Sequence, residues 1–100
     1  MNTKHFVLYL RPSRPYFAFT MTDEEKAIMG QHVNYWTEKM NNGKVVAFGP
    51  VLDPNGPYGL GIVATDDEQE VIALIEGDPA GKINQYEYFP MKAIVQGSAH

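Results

Sequence analysis
The sequence predicts an α+β chain in the order βαββαβ, and three observations carry that prediction. Lys44 to Thr65 (KVVAFGPVLDPNGPYGLGIVAT) sets two apolar runs, Val45 to Phe48 and Leu60 to Ala64, around a segment dense in Gly, Pro, Asn and Asp. That is the pattern of two antiparallel strands joined by a long hairpin loop. Two helix-start signals, Thr22-Asp23-Glu24-Glu25 and Asp66-Asp67-Glu68-Gln69, stand before and after the hairpin, each followed by apolar residues at helical spacing. Strand-like runs rich in aromatic and branched residues close both ends, Lys4 to Arg11 and Gln85 to Val95.

Bulk properties narrow the class. At 100 residues the chain is read as a single domain over residues 1–100, large enough for one core. A formal charge of -4 with only 8 scattered Lys and Arg argues against a nucleic-acid or anionic-membrane partner. The lack of Cys removes disulfides, Cys-ligated zinc and thiolate chemistry, and it fits a reducing cytoplasm, where the chain is expected to work. The run Phe6 to Leu10 is too short to span a bilayer, and Arg11 and Pro12 end it without a cleavage site, so no signal peptide is expected.

Taken in order, the first strand places Phe6, Leu8 and Leu10 on one face and Val7 and Tyr9 on the other, as period-two alternation requires. Pro12 to Met21 carries prolines and the aromatics Tyr16, Phe17 and Phe19, which predicts an ordered excursion whose aromatics pack. Thr22 caps the first helix with Glu25 completing a capping box, and Asn41-Asn42-Gly43 ends it. Its apolar stripe is Ile28, Met29, Val33, Tyr35, Trp36 and Met40, and His32 falls inside it, facing the sheet. Gly49-Pro50 is expected to end the second strand. Asp66 is expected to cap the second helix, with Gln69 in the box position and Gly77 as the stop. Pro90 predicts that the last strand lies at a sheet edge or is bent there.

This order is the split βαβ, or ferredoxin-like, arrangement: a four-stranded antiparallel sheet with strands 1 and 3 in the middle and both helices on one face. The other face, with Val7, Tyr9 and Val63, would expose an apolar patch, so a second copy is predicted to cover it as a two-fold homodimer.

Few residues are candidates for chemistry. His32 reads either as a general acid/base beside the sheet or as a core histidine with satisfied nitrogens. Asp78, after Gly77 and before Pro79, reads either as the acceptor that fixes the His32 tautomer or as a turn former bonding nearby amides. Asp53 in the hairpin loop has the same two readings. Gly49 and Pro50 offer a close backbone approach to a ligand or merely a turn. Arg11 and Arg14 can receive an anionic group or stand solvated. Trp36 is a candidate pocket wall and, more simply, core. Gly56, Gly59 and Gly61 make no phosphate loop, and His5, His32 and His100 show no ligand spacing, so neither a metal site nor a cofactor is expected.

His32-x-x-Tyr35-Trp36, then Gly43 to Pro50 (GKVVAFGP), a loop with Asp53, Gly59 and Gly61, and Gly77-Asp78-Pro79 together resemble the YciI-like (YCII-related) family over nearly the whole chain. The resemblance implies a dimeric α+β barrel, two ferredoxin-like subunits joined through their sheets. It also implies an acid/base pair of His32 and Asp78, with Asp53 in reserve. A few relatives act on chlorinated or hydroxylated ring products. The segment Arg11 to Pro15 is longer here than in the shortest members. The functional expectation is a small-molecule enzyme for elimination, isomerisation or hydrolysis. The alternatives are a non-catalytic dimeric ligand-binding module and a cofactor-free oxygenase.

Overall fold
The computed structural model describes residues 3–95, so His100 lies outside the described residues. The chain forms β1 (Lys4–Pro12), α1 (Phe17–Thr20), α2 (Asp23–Asn41), β2 (Val45–Val51), β3 (Tyr58–Thr65), α3 (Glu68–Glu76), a 3-10 turn (Pro79–Lys82) and β4 (Asn84–Met91). The four strands pair antiparallel in the order β2-β3-β1-β4, the ferredoxin-like topology that the sequence predicts. Pro90 accordingly sits on an edge strand, where a missing N–H disturbs no second ladder.

Local signals fix the helices. Thr22 accepts from Glu25 N–H while Glu25 accepts from Thr22 N–H, the reciprocal capping box, and three acids occupy the first turn of α2. At α3 the cap is Asp67, not Asp66: the Asp67 carboxylate reaches Glu70 N–H at 3.0 Å. Glu70 in turn accepts from Asp66 N–H, so the start signal lies one residue later than its spacing suggests.

The hairpin strands also run further than their apolar cores. Gly49 pairs with Leu60, Pro50 with Gly59 and Val51 with Tyr58, so Gly49-Pro50 lies within β2 instead of ending it. Backbone pairing to β3 continues the strand past a Gly-Pro that breaks local propensity, and the edge position tolerates the proline. A register shift between Val45 and Ala47 brings both Val45 and Phe48 to the helix side of the sheet.

The core lies between the sheet and the helices: Phe6, Leu8, Val45 and Val63 meet Trp36 of α2 and Val71 and Leu74 of α3. Of the excursion's aromatics only Phe17 is buried; Tyr16 and Phe19 are 63% and 76% exposed, contrary to the expectation that all three pack. Tyr16 adopts a left-handed backbone (φ 61) just before α1, which turns Phe17 inward and leaves its neighbours outside. None of the helices among the described residues is long and apolar enough to cross a membrane.

Candidate functional site
The inward face of β3 reads Gly59, Gly61, Val63, paired with Leu10, Leu8 and Phe6 of β1. Val63 therefore belongs to the core and not, as its sequence position suggests, to the face with Val7 and Tyr9, where Ile62 stands instead. Val63 is fully buried, whereas the two glycines place no side chain above the sheet. The result is a cavity of about 330 Å³, within the range of small-molecule sites. Its walls come from α2 (Met29, His32, Val33, Trp36), from α1 and its flank (Phe17, Ala18, Met21), from β2 (Phe48, Gly49, Pro50) and from β4 (Asn84, Tyr86). The lining is predominantly apolar.

His32 stands in this wall with its side chain 14% exposed, and its Nδ1 lies 2.7 Å from Asp78 Oδ2. Asp78 is fully withdrawn from solvent at the N-terminus of the 3-10 turn. Gly77 permits this placement, because a Cβ there would sit 2.6 Å from the Tyr35 hydroxyl, which donates to Leu74 C=O at 2.7 Å. The chain therefore passes tightly under Tyr35 and delivers the next residue to the base of α2.

Both readings of Asp78 hold at once, on different oxygens. Oδ1 accepts from Ala80 N–H at 2.9 Å and shapes the turn. Oδ2 collects His32 Nδ1, the Trp36 indole N–H at 2.8 Å and the Tyr86 hydroxyl. Burial favours the neutral acid, but the hydrogen bonds from His32, Tyr86, Trp36 and Ala80 outweigh it and hold the carboxyl below its ordinary pKa. The Tyr86 hydroxyl is pushed far above its usual value, by burial first and then by the facing carboxylate, so it stays a donor. An ionised Asp78 only accepts, hence the proton between it and His32 belongs to Nδ1. His32 Nε2 is left without a protein partner among the described residues, on a side chain that lines the cavity. A ring fixed this way can take a proton at Nε2 or return one.

The other sequence candidates are distributed differently. Trp36, Gly49 and Pro50 line the cavity with His32. Asp53 lies in the hairpin loop, where its carboxylate accepts from Asn55 N–H at 2.8 Å, an Asx turn away from the cavity wall. Arg11 pairs with Glu87 at 2.9 Å and covers the rings of Tyr9 and Tyr58. Arg14 is bound by both Glu25 oxygens and by Thr20. Neither guanidinium lines the cavity. Sequence reasoning missed Tyr86 altogether and missed the polar role of Trp36. The usable signal was chemical: a buried indole N–H or phenol needs a partner, and Asp78 was already a candidate acceptor. No group of three His, Asp or Glu side chains suited to a metal ion occurs among the described residues.

The sequence profile of the YCII-related domain matches residues 5–94. No curated protein matches the chain in sequence. Among solved structures, the chain is similar to 5-chloro-2-hydroxyhydroquinone dehydrochlorinase (TftG) from Burkholderia phenoliruptrix AC1100, in complex with 2,5-dihydroxybenzoquinone. The TM-score is 0.65 at 18% identity, covering 87% of this chain and 93% of that one. It is also similar to SnoaB, a cofactor-independent oxygenase from Streptomyces nogalater, with TM-score 0.51 at 9% identity over 99% of this chain and 100% of that one. At these identities the likeness concerns the fold.

Proposed function
This chain belongs to the YCII-related family, and from that premise we propose that it is an enzyme for a small organic molecule, with His32 moving protons at the cavity wall and Asp78 orienting it. The observation that carries this reading is the fixed imidazole: Nδ1 tied to a buried carboxylate at 2.7 Å, Nε2 free beside an apolar cavity. In an elimination, Nε2 takes a proton from a substrate carbon or hydroxyl, and the electron pair released forms the new double bond as the leaving group departs. Asp78 stabilises the imidazolium so formed without taking the proton itself. Isomerisation uses the same group to take a proton at one position and return it at another. The similarity to a dehydrochlorinase solved with a dihydroxybenzoquinone supports a ring substrate bearing hydroxyl or halogen groups. Two copies pair through the sheet face opposite the helices, where Val7, Tyr9, Leu60, Ile62 and Phe89 lie.

The test is turnover by the full chain across halogenated and hydroxylated benzenes and quinones, followed by absorbance. His32→Ala should lower the rate by about 10²-fold or more, and Asp78→Asn by about tenfold or more. Turnover that persists unchanged in His32→Ala removes the proposal. A second reading, a ligand-binding module without catalysis, is favoured by one observation: apart from tyrosines, His32 is the only ionisable side chain among the described lining residues. Tight ligand binding with no turnover by the wild type would select it.

A further inference from the structure
We propose that Gly59 and Gly61 turn the cavity into a slot for a neutral, planar ring, and that Gly61 is a specificity-determining residue. The inference rests on the reading that this cavity is the substrate site. Consecutive inward positions on a strand lie about 6.6 Å apart, so two glycines in succession lay bare a flat stretch of backbone of that length. Glycine inside a strand weakens it, and two on one face mark a place where something approaches the backbone closely. The opposite wall is α2, with Met29, His32 and Val33. A flat ring fits between such a floor and a helix; a puckered ring of the same size needs more height.

Charge follows from the same wall. Arg11 and Arg14 are engaged elsewhere and stay outside the lining, and no Lys or Arg is present among the described lining residues. A carboxylate or phosphate on the ligand would be desolvated with only His32 to meet it. Two polar side chains serve hydroxyl groups instead: His32 through Nε2, and Asn84, whose amide N–H₂ is turned to Ala80 C=O at 3.2 Å, leaving its carbonyl oxygen as the acceptor.

The two glycines differ as test positions. A Cβ at Gly59 would lie 3.1 Å from Leu10 Cβ, so strand packing would have to yield. At Gly61 it would meet Phe48 Cβ at 3.7 Å and Ala47 C=O at 3.9 Å, ordinary contacts, so Gly61→Ala should fold while raising the floor.

The experiment titrates the full chain with hydroquinone, cyclohexane-1,4-diol and 2,5-dihydroxybenzoate, reading the Gly59 and Gly61 amide signals by NMR, with thermal unfolding measured alongside. Hydroquinone should shift both amides saturably, the saturated diol and the benzoate should bind more weakly, and Gly61→Ala should weaken hydroquinone by about tenfold or more. Val33→Ala, on the exposed side of the opposite wall, should narrow the gap between flat and puckered ligands. Equal binding of the diol or the benzoate, an unchanged affinity in Gly61→Ala, or no response of the two amides to hydroquinone overturns the slot. These readouts are independent of turnover. Ligand discrimination that persists while His32→Ala retains full activity leaves the slot standing and removes the catalytic reading; lost discrimination with His32-dependent turnover does the reverse.

Discussion
At Asp78 the two carboxylate oxygens are divided between backbone and site, so its replacement disturbs both. Asp78→Ala leaves the buried Tyr86 hydroxyl without its acceptor, leaves the Trp36 N–H only the Tyr86 oxygen at 3.2 Å, and uncaps the 3-10 turn. Removing one partner from a buried charged network costs about 3 kcal/mol, which urea unfolding should read as a lower midpoint. The acid side has a definite sign. Because the folded-state pKa of Asp78 is lowered, its ionisation contributes stability that is complete above the ordinary carboxylate range and lost as pH falls through the folded value. Tyr86→Phe removes one of the hydrogen bonds that lower that pKa, so the acid-induced loss of stability should begin at higher pH. Unfolding curves across the acid range check this, and an unmoved onset contradicts it. His32 and Asp78 were both visible in the sequence because each broke a local pattern, one polar on an apolar stripe and one beside Gly and Pro. Trp36 and Tyr86 fitted their apolar faces too well to stand out, and what ties them to Asp78 is contact across 42 and 8 residues of chain.

At the level of elements, legibility followed locality. The α2 cap was readable because its donors and acceptors lie within four residues, and Thr22→Ala should lower stability by about 1 kcal/mol. Glu25 adds a pH signature: its hydrogen bonds from Arg14 and then from Thr22 N–H lower its pKa from 4.5 to about 2. Its contribution is complete above 4.5 and fades as pH falls towards 2, so Glu25→Gln should flatten that segment of the stability curve. The ends of β2 and β3 were misjudged because cross-strand pairing, which no single stretch encodes, carries them through Gly49-Pro50 and Tyr58-Gly59. Gly77 is where one backbone position serves the site. Gly77→Ala places a methyl group against Tyr35, and thermal unfolding should show a loss of about 1–3 kcal/mol, with Asp78 drawn away from His32.

For the molecule as a whole, the two sheet faces differ in kind. The helix side holds the core and the cavity, while the other side carries Tyr9 in edge contact with Phe89 at 6.1 Å and beside Tyr58 at 6.0 Å, with Phe89 still 51% exposed. On the proposal that two copies pair through this face, sedimentation should find a dimer in the wild type and a monomer in Phe89→Lys. The alternation that exposes this face was legible from β1 alone; the partner that would cover it is not encoded in any one stretch. The imidazole and its carboxylate are separated by 46 positions along the chain and come from opposite ends of the hairpin's path. Bringing them together costs loop-closure entropy, which the packing of the intervening strands offsets. A chain that ends before residue 78 therefore carries the His32 ring without the carboxylate that orients it.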